Sequence, residues 1–103
     1  MIILEIDTSK QGEIKIALMI NGDLKLIKGE FSRGSQVVLP FIVKLLEENK
    51  LSFKQIDKIQ VNTGPGSFTG LRVGISVANA LGYALKIPVN GKKAGEIIEP
   101  IYK

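Results

Sequence analysis

Two runs of alternating side chains meet at Asn21-Gly22, and this dipeptide constrains the chain more than any other feature. Both residues tolerate positive φ, and a two-residue turn of that kind between alternating segments is the strongest short-range signal of a β-hairpin. Before it, Ile14, Ile16, Leu18 and Ile20 alternate with Glu13, Lys15, Ala17 and Met19. After it, a strand is predicted from about Leu24 to Glu30. At the start of the chain Ile2, Leu4 and Ile6 alternate with Ile3, Glu5 and Asp7, so a third strand with one better-buried face comes first.

Beyond the meander the period changes. Residues 32–35 break the alternation, and Ser35 can cap a helix running to about Lys50. Pro40 falls inside that helix or in its first turn, where it removes one backbone hydrogen bond and bends the axis. Lys58 to Asn62 reads as a fourth strand, Gly64 to Gly70 as a turn, and Thr69 to Leu85 as a second long helix. Ile87-Pro88-Val89 reads as a brief last strand. The order β-β-β-α-β-α-β is a meander followed by two right-handed crossovers, which places both helices on one face of a mixed five-stranded sheet. This is the topology of a single ribonuclease-H-like lobe. The other sheet face, carrying Ile3, Glu5, Lys15, Ala17 and Met19, is left open, and either the C-terminal tail or a partner can cover it.

With 103 residues the chain has room for one domain and a modest core. It contains no histidine and no cysteine, which excludes a Ser-His-Asp triad, a thiol nucleophile and the usual zinc-protease ligands. The absence of cysteine also permits a reducing compartment. Charged residues interrupt every apolar run, so neither a signal peptide nor a membrane span is expected. The net charge of +4 comes from scattered lysines whose only adjacent pair is Lys92-Lys93, a pattern that fits plain solubility better than a nucleic-acid footprint.

On a helical wheel the second helix collects Arg72, Ser76, Asn79, Tyr83 and Lys86 within about 80°, leaving an apolar arc of roughly 220°. The apolar arc of the first helix, from Val37 to Leu46, sweeps about 240°. A helix lying on one sheet needs little more than 100°. The excess can go into packing between the two helices, or it can leave an outer apolar ridge of the kind that marks an interface. Gly70, Gly74, Ala78 and Gly82 recur every four residues in the second helix. Helix-interior glycine costs about 1 kcal/mol relative to alanine, so this row implies close approach of some backbone, either the chain's own first helix or a partner's.

The segment Asn62-Thr63-Gly64-Pro65-Gly66-Ser67-Phe68-Thr69-Gly70-Leu71-Arg72 lies between a strand and a helix N-terminus, where amides can receive an anion. Its glycines at 64, 66 and 70 are spaced one residue too widely for the dinucleotide fingerprint, and no P-loop lysine follows. Ser67 or Thr69 as a simple helix cap is the competing reading.

These motifs resemble a known family. GPGSFTGLRVGISVANALGYALKIPV, from Gly64 to Val89, is similar to the hallmark segment of the TsaB (YeaZ) family, needed in bacteria to make threonylcarbamoyladenosine beside the tRNA anticodon. ILEIDTS, from Ile3 to Ser9, resembles the family's opening strand. Gly34-Ser35-Gln36-Val37-Val38-Leu39-Pro40 resembles its H-S-x-x-L-L-P helix start, with Gly34 where histidine is common. The resemblance covers nearly all of residues 1 to 90. It implies a first lobe at 1–91 and a short tail at 92–103. Full-length members carry a second lobe after this point, and Glu99-Pro100-Ile101-Tyr102 is similar to the E-P-x-Y that closes them, which raises the expectation of an internal deletion.

What the resemblance implies is a cytoplasmic, non-catalytic scaffold without cofactor or metal. It would bind a TsaD-like catalytic subunit through both helices, join a TsaE-like ATPase in the assembly, meet tRNA only indirectly, and form a homodimer when alone. The implied docking residues are Val37, Val38, Phe41, Ile42 and Leu45 on the first helix, with Gly70, Val73, Gly74, Val77, Ala78, Leu81 and Gly82 on the second. Asp7 and Thr8 stand where active actin-like ATPases hold metal and phosphate, and Ser67 of the glycine turn joins them. They form a candidate vestigial phosphate site, with Asp7 as a strand-end capping residue the plainer alternative. A nucleotide-dependent enzyme or switch built on these groups, and a small RNA-binding module, are the competing functions.

Overall fold

The structure is a computed structural model and describes residues 1–30, 38–93 and 96–99. Strands β1 (Ile2–Asp7), β2 (Glu13–Ile20) and β3 (Asp23–Glu30) are followed by helix α1 (Val38–Glu48), strand β4 (Lys58–Val61) and helix α2 (Phe68–Leu85). A single 3-10 turn at Phe53–Gln55 leads into β4. The hairpin turn is where the sequence puts it, with φ of 50° at Asn21 and 92° at Gly22. Ser35 and the start of the first helix lie outside the described residues, and Pro40 is the third residue of α1.

The sheet order is β3-β2-β1-β4, with β1 antiparallel to β2, β2 antiparallel to β3, and β4 parallel to β1. Leu4, Ile6, Ile14, Ile16, Leu18 and Ile59 have almost no exposed surface and form the inner face. Helix α1 lies over β2 and β3, and α2 over β1 and β4, so both helices share that face as the topology requires. From α1, Val38, Ile42, Leu45 and Leu46 enter the core, joined by Leu71, Ile75 and Ala78 from α2. Phe41 lies over Gly29 of β3, where a Cβ would collide with its ring.

The expected fifth strand shrinks to a bridge. Val89 pairs with Ile59 in parallel, held by Ile59 N to Pro88 O at 3.0 Å and Asn90 N to Ile59 O at 2.9 Å. Pro88 has no amide to donate. Asn90 and Gly91 then turn the chain back with φ of 51° and 78°, so that Val89 also pairs with Lys92. The ladder continues through a side chain instead: Val61 N donates to Asn90 Oδ1 at 2.7 Å and Asn90 Nδ2 donates to Val61 O at 2.9 Å.

The short C-terminal stretch packs on α2. Ile98 is buried, and the Asn79 side chain holds both its backbone groups, donating to Ile98 O and accepting from Ile98 N at 3.0 Å each. Part of the wide apolar arc of α2 is thereby covered by the chain itself.

Candidate functional site

At the end of β1 the segment Asp7-Thr8-Ser9 meets the glycine turn, and its geometry follows from short polar side chains in a tight bend. Asp7 Oδ1 accepts from Ser9 N at 2.9 Å, the Asx turn in which a carboxylate caps the amide two residues on, and from Ser9 Oγ at 2.6 Å. Ser9 then organises the turn: its carbonyl accepts from Ser67 N at 2.8 Å and its hydroxyl from Asn62 Nδ2 at 3.1 Å. Asn62 Oδ1 accepts from Gly64 N at 2.8 Å. Sequence reasoning did not single out Ser9; the D-x-S spacing of an Asx turn was the available signal.

Thr8 is fully buried under the first turns of α2. Its hydroxyl donates to Gly70 O at 2.5 Å and accepts from Gly74 N at 3.1 Å, bridging two residues one helical turn apart. A Cβ at position 70 would land on the Thr8 carbonyl oxygen, and one at 74 on Thr8 Oγ1. At Gly66 a Cβ would lie 2.6 Å from Ser9 O, and at Gly82 one would lie 2.5 Å from Val89 Cγ2.

This corrects the reading of the glycine row as a landing strip for another helix. Gly70, Gly74, Ala78 and Gly82 are all buried, and what approaches three of them is the end of β1 and the segment after α2. Val38, Ile42 and Leu45 also face the core and not the outside. Phe41, Val73, Val77 and Leu81 remain half-buried, Phe41 on the β3 side of α1 over Gly29, and Leu39 of α1 is 44% exposed. Val37 lies outside the described residues.

The candidate phosphate groups are likewise engaged with the chain. Ser67 caps α2, its Oγ accepting from Gly70 N at 3.3 Å and its carbonyl from Leu71 N at 2.8 Å. Thr8 has no exposed surface and uses its hydroxyl both as donor and as acceptor. Asp7 reaches a cavity of about 240 Å³ on the open sheet face, lined also by Glu5, Lys15, Ala17, Gln60 and Asn62. Partial burial opposes its ionisation, yet the hydrogen bonds from Ser9, Asn62 and the charge of Lys15 outweigh that and hold its carboxyl below the ordinary 3.8. The carboxylate is therefore the stable form, in the role of a strand-end cap.

Comparison with known proteins decides the family. Residues 32–93, more than half the chain, match the family model described as TsaD, tRNA N6-adenosine threonylcarbamoyltransferase. The solved structure of YeaZ from Pseudomonas aeruginosa superposes with a TM-score of 0.80 at 32% identity, over 86% of this chain and 43% of that one. The chain belongs to the TsaB/YeaZ family.

Among TsaB relatives, the tRNA threonylcarbamoyladenosine biosynthesis protein TsaB of Haemophilus influenzae is 34% identical over 88 residues, 84% of this chain and 37% of that protein. The Bacillus subtilis protein of the same name is 31% identical over 115 residues, 99% of this chain and 50% of its own. The chain thus spans half or less of the length of these TsaB/YeaZ proteins. The ribonuclease-H-like lobe with two helices on one face is the fold they share with it. Among the described residues no helix is long and apolar enough to cross a membrane.

Proposed function

We propose that this chain acts in tRNA threonylcarbamoyladenosine biosynthesis as a non-catalytic subunit that docks a TsaD-like transferase along the α1/α2 edge. The observation that carries the reading is the division of labour at α2. Its glycine row and the β1 end close on each other, which occupies the Thr8 hydroxyl within the chain, while Leu39 of α1 and Val73, Val77 and Leu81 of α2 leave apolar surface on the helix layer. The match over residues 32–93 to a transferase family supports a partner built on the same lobe, which would present a helix pair of similar shape. In this reading a TsaE-like ATPase joins the assembly, tRNA is met only through the transferase, and two copies of the chain associate when no partner is present.

The test is capture of the TsaD-like subunit of the same organism, combined with rescue of a strain depleted of its own TsaB. Leu39→Lys should abolish capture without changing the melting temperature, because Leu39 is exposed and contributes little to the core. Capture that survives this change, or a parent chain that captures nothing, overturns the reading.

A further inference from the structure

The two edges of the sheet are finished differently. Beyond β4, the bridge at Val89 and the Asn90 amide take up the outward backbone groups of Ile59 and Val61. Nothing comparable lies along the outer edge of β3 among the described residues. Because Asn21-Gly22 is a two-residue turn, its flanking pair Ile20 and Asp23 is hydrogen-bonded, and bonded pairs then alternate with non-bonded ones along the hairpin. Lys25, Ile27 and Gly29 therefore bond to β2, while the N–H and C=O of Leu24, Leu26 and Lys28 point away from the sheet. None of these outward groups meets a loop, a cap or a side chain among the described residues. Natural edges are blunted by shortness, proline, a bulge, a cover or lysine. β3 has eight residues in unbroken register and no proline, and Leu24 and Leu26 beside its free amides are exposed by 55% and 46%. Lysine is the device it uses, yet neither Lys25 nor Lys28 makes an ion pair among the described residues. Lys28 stands directly across from Lys15, whose other neighbour in that row is Asp7. Like charges opposite each other are unfavourable, and a carboxylate beyond Lys28 completes an acid-base-base-acid row.

From this pattern we infer that the β3 edge takes an additional strand, supplied by an extended acidic segment of another protein. The inference goes beyond the proposed function and does not depend on it, since it uses the rim of the sheet and not the helix layer. Backbone bonds to Leu24, Leu26 and Lys28 supply the hold, and cross-strand neighbours supply the selectivity. In an antiparallel segment the residues opposite Lys28, Ile27, Leu26, Lys25 and Leu24 are, in order, acidic, apolar, apolar, acidic and apolar. A second copy of β3 meets this need poorly. The two-fold registers centred on Leu26 and on Ile27 pair the strand over its greatest length. They set Lys28 against Leu24 or Leu26, and Lys25 against Ile27 or Gly29, so that no lysine faces a carboxylate.

The probe is a synthetic peptide with blocked termini that carries Glu-Val-Leu-Glu-Leu, titrated into the isotope-labelled chain and followed through the amide resonances and their exchange with solvent. The amides of Leu24, Leu26 and Lys28 should shift, and should exchange more slowly as peptide binds. Leu26→Pro removes an outward N–H and leaves the bonds to β2 in place, so it should abolish binding. Lys25→Glu combined with Lys28→Glu, both at exposed positions, should weaken binding at least tenfold whatever the fate of the proline variant. A peptide with lysines for its glutamates should be weakened as much, and Leu39→Lys on the helix side should leave binding unchanged. A peptide that perturbs no β3 amide up to millimolar concentration, or one that shifts the helix layer or the open sheet face instead, overturns the inference. So does binding that survives the double charge reversal or a folded Leu26→Pro variant. A concentration-dependent shift of the same amides without peptide overturns it as well, because the edge then belongs to a second copy of the chain.

Discussion

The Thr8 hydroxyl ties β1 to α2 by replacing one strand-to-helix packing contact with two hydrogen bonds in a fully buried place. Replacing it with the isosteric valine keeps the volume and removes two hydrogen bonds, while Gly70 O and Gly74 N keep each other as i, i+4 helix partners, so the loss is about 0.5 to 1.5 kcal/mol per bond. Thr8→Val should accordingly lower the melting temperature, and a melt unchanged within error would show the bridge to be dispensable. Gly74→Leu tests the same junction by volume. Overpacking typically costs about 1 to 3 kcal/mol, while relief of the glycine penalty returns only about 1. The larger side chain aimed at Thr8 should therefore destabilise the fold, and transferase capture by the folded fraction should stay intact; lost capture with an unchanged melt would restore the glycine row as a docking surface. Asp7 supplies the pH dependence. Its folded pKa lies below the unfolded 3.8, so its contribution is complete above that value and is lost as pH falls through the folded one. Asp7→Asn should flatten the acid limb of the melting curve and leave the neutral region nearly parallel, which a pH series of thermal melts would check.

At the scale of elements, what the sequence made legible was local. Asn21-Gly22 fixes the hairpin because the two φ values it needs belong to its own residues. Alternation gives the inner faces of β1 and β2, and the helix bounds follow from periodicity. What was hidden depended on residues distant in sequence. The arc of α2 was read as wide, but no wheel reveals that the end of β1, Val89 and Ile98 take up part of it. Nor does propensity reveal that an asparagine amide can stand in for a strand, as Asn90 does beside Val61 and Asn79 does around Ile98. The second clasp is testable. Asn79→Ala removes both hydrogen bonds to Ile98, so residues 96–99 should exchange amide protons and be cut by protease faster, while α2 itself keeps its protection. Equal protection at Ile98 in parent and variant would mean that burial of its side chain alone holds the segment.

At the scale of the molecule, the sheet separates the two surfaces that the sequence already kept apart, the helix ridge and the open sheet face. The helix edge around Leu39, Val73 and Val77 lies on one side, and the rows of Leu24, Leu26, Met19 and Ile3 on the other. Helix and sheet layers stand about 10 Å apart, a distance at which substitutions without shared partners add within about 0.5 kcal/mol. The two surfaces should therefore act independently. Leu39→Lys should reduce transferase capture, Leu26→Lys on the far face should leave capture near the parent's, and the double variant should lose capture only as far as Leu39→Lys does alone. If Leu26→Lys instead weakens capture as much as Leu39→Lys does, the transferase reaches the far face of the sheet as well, and the helix edge is not its docking side.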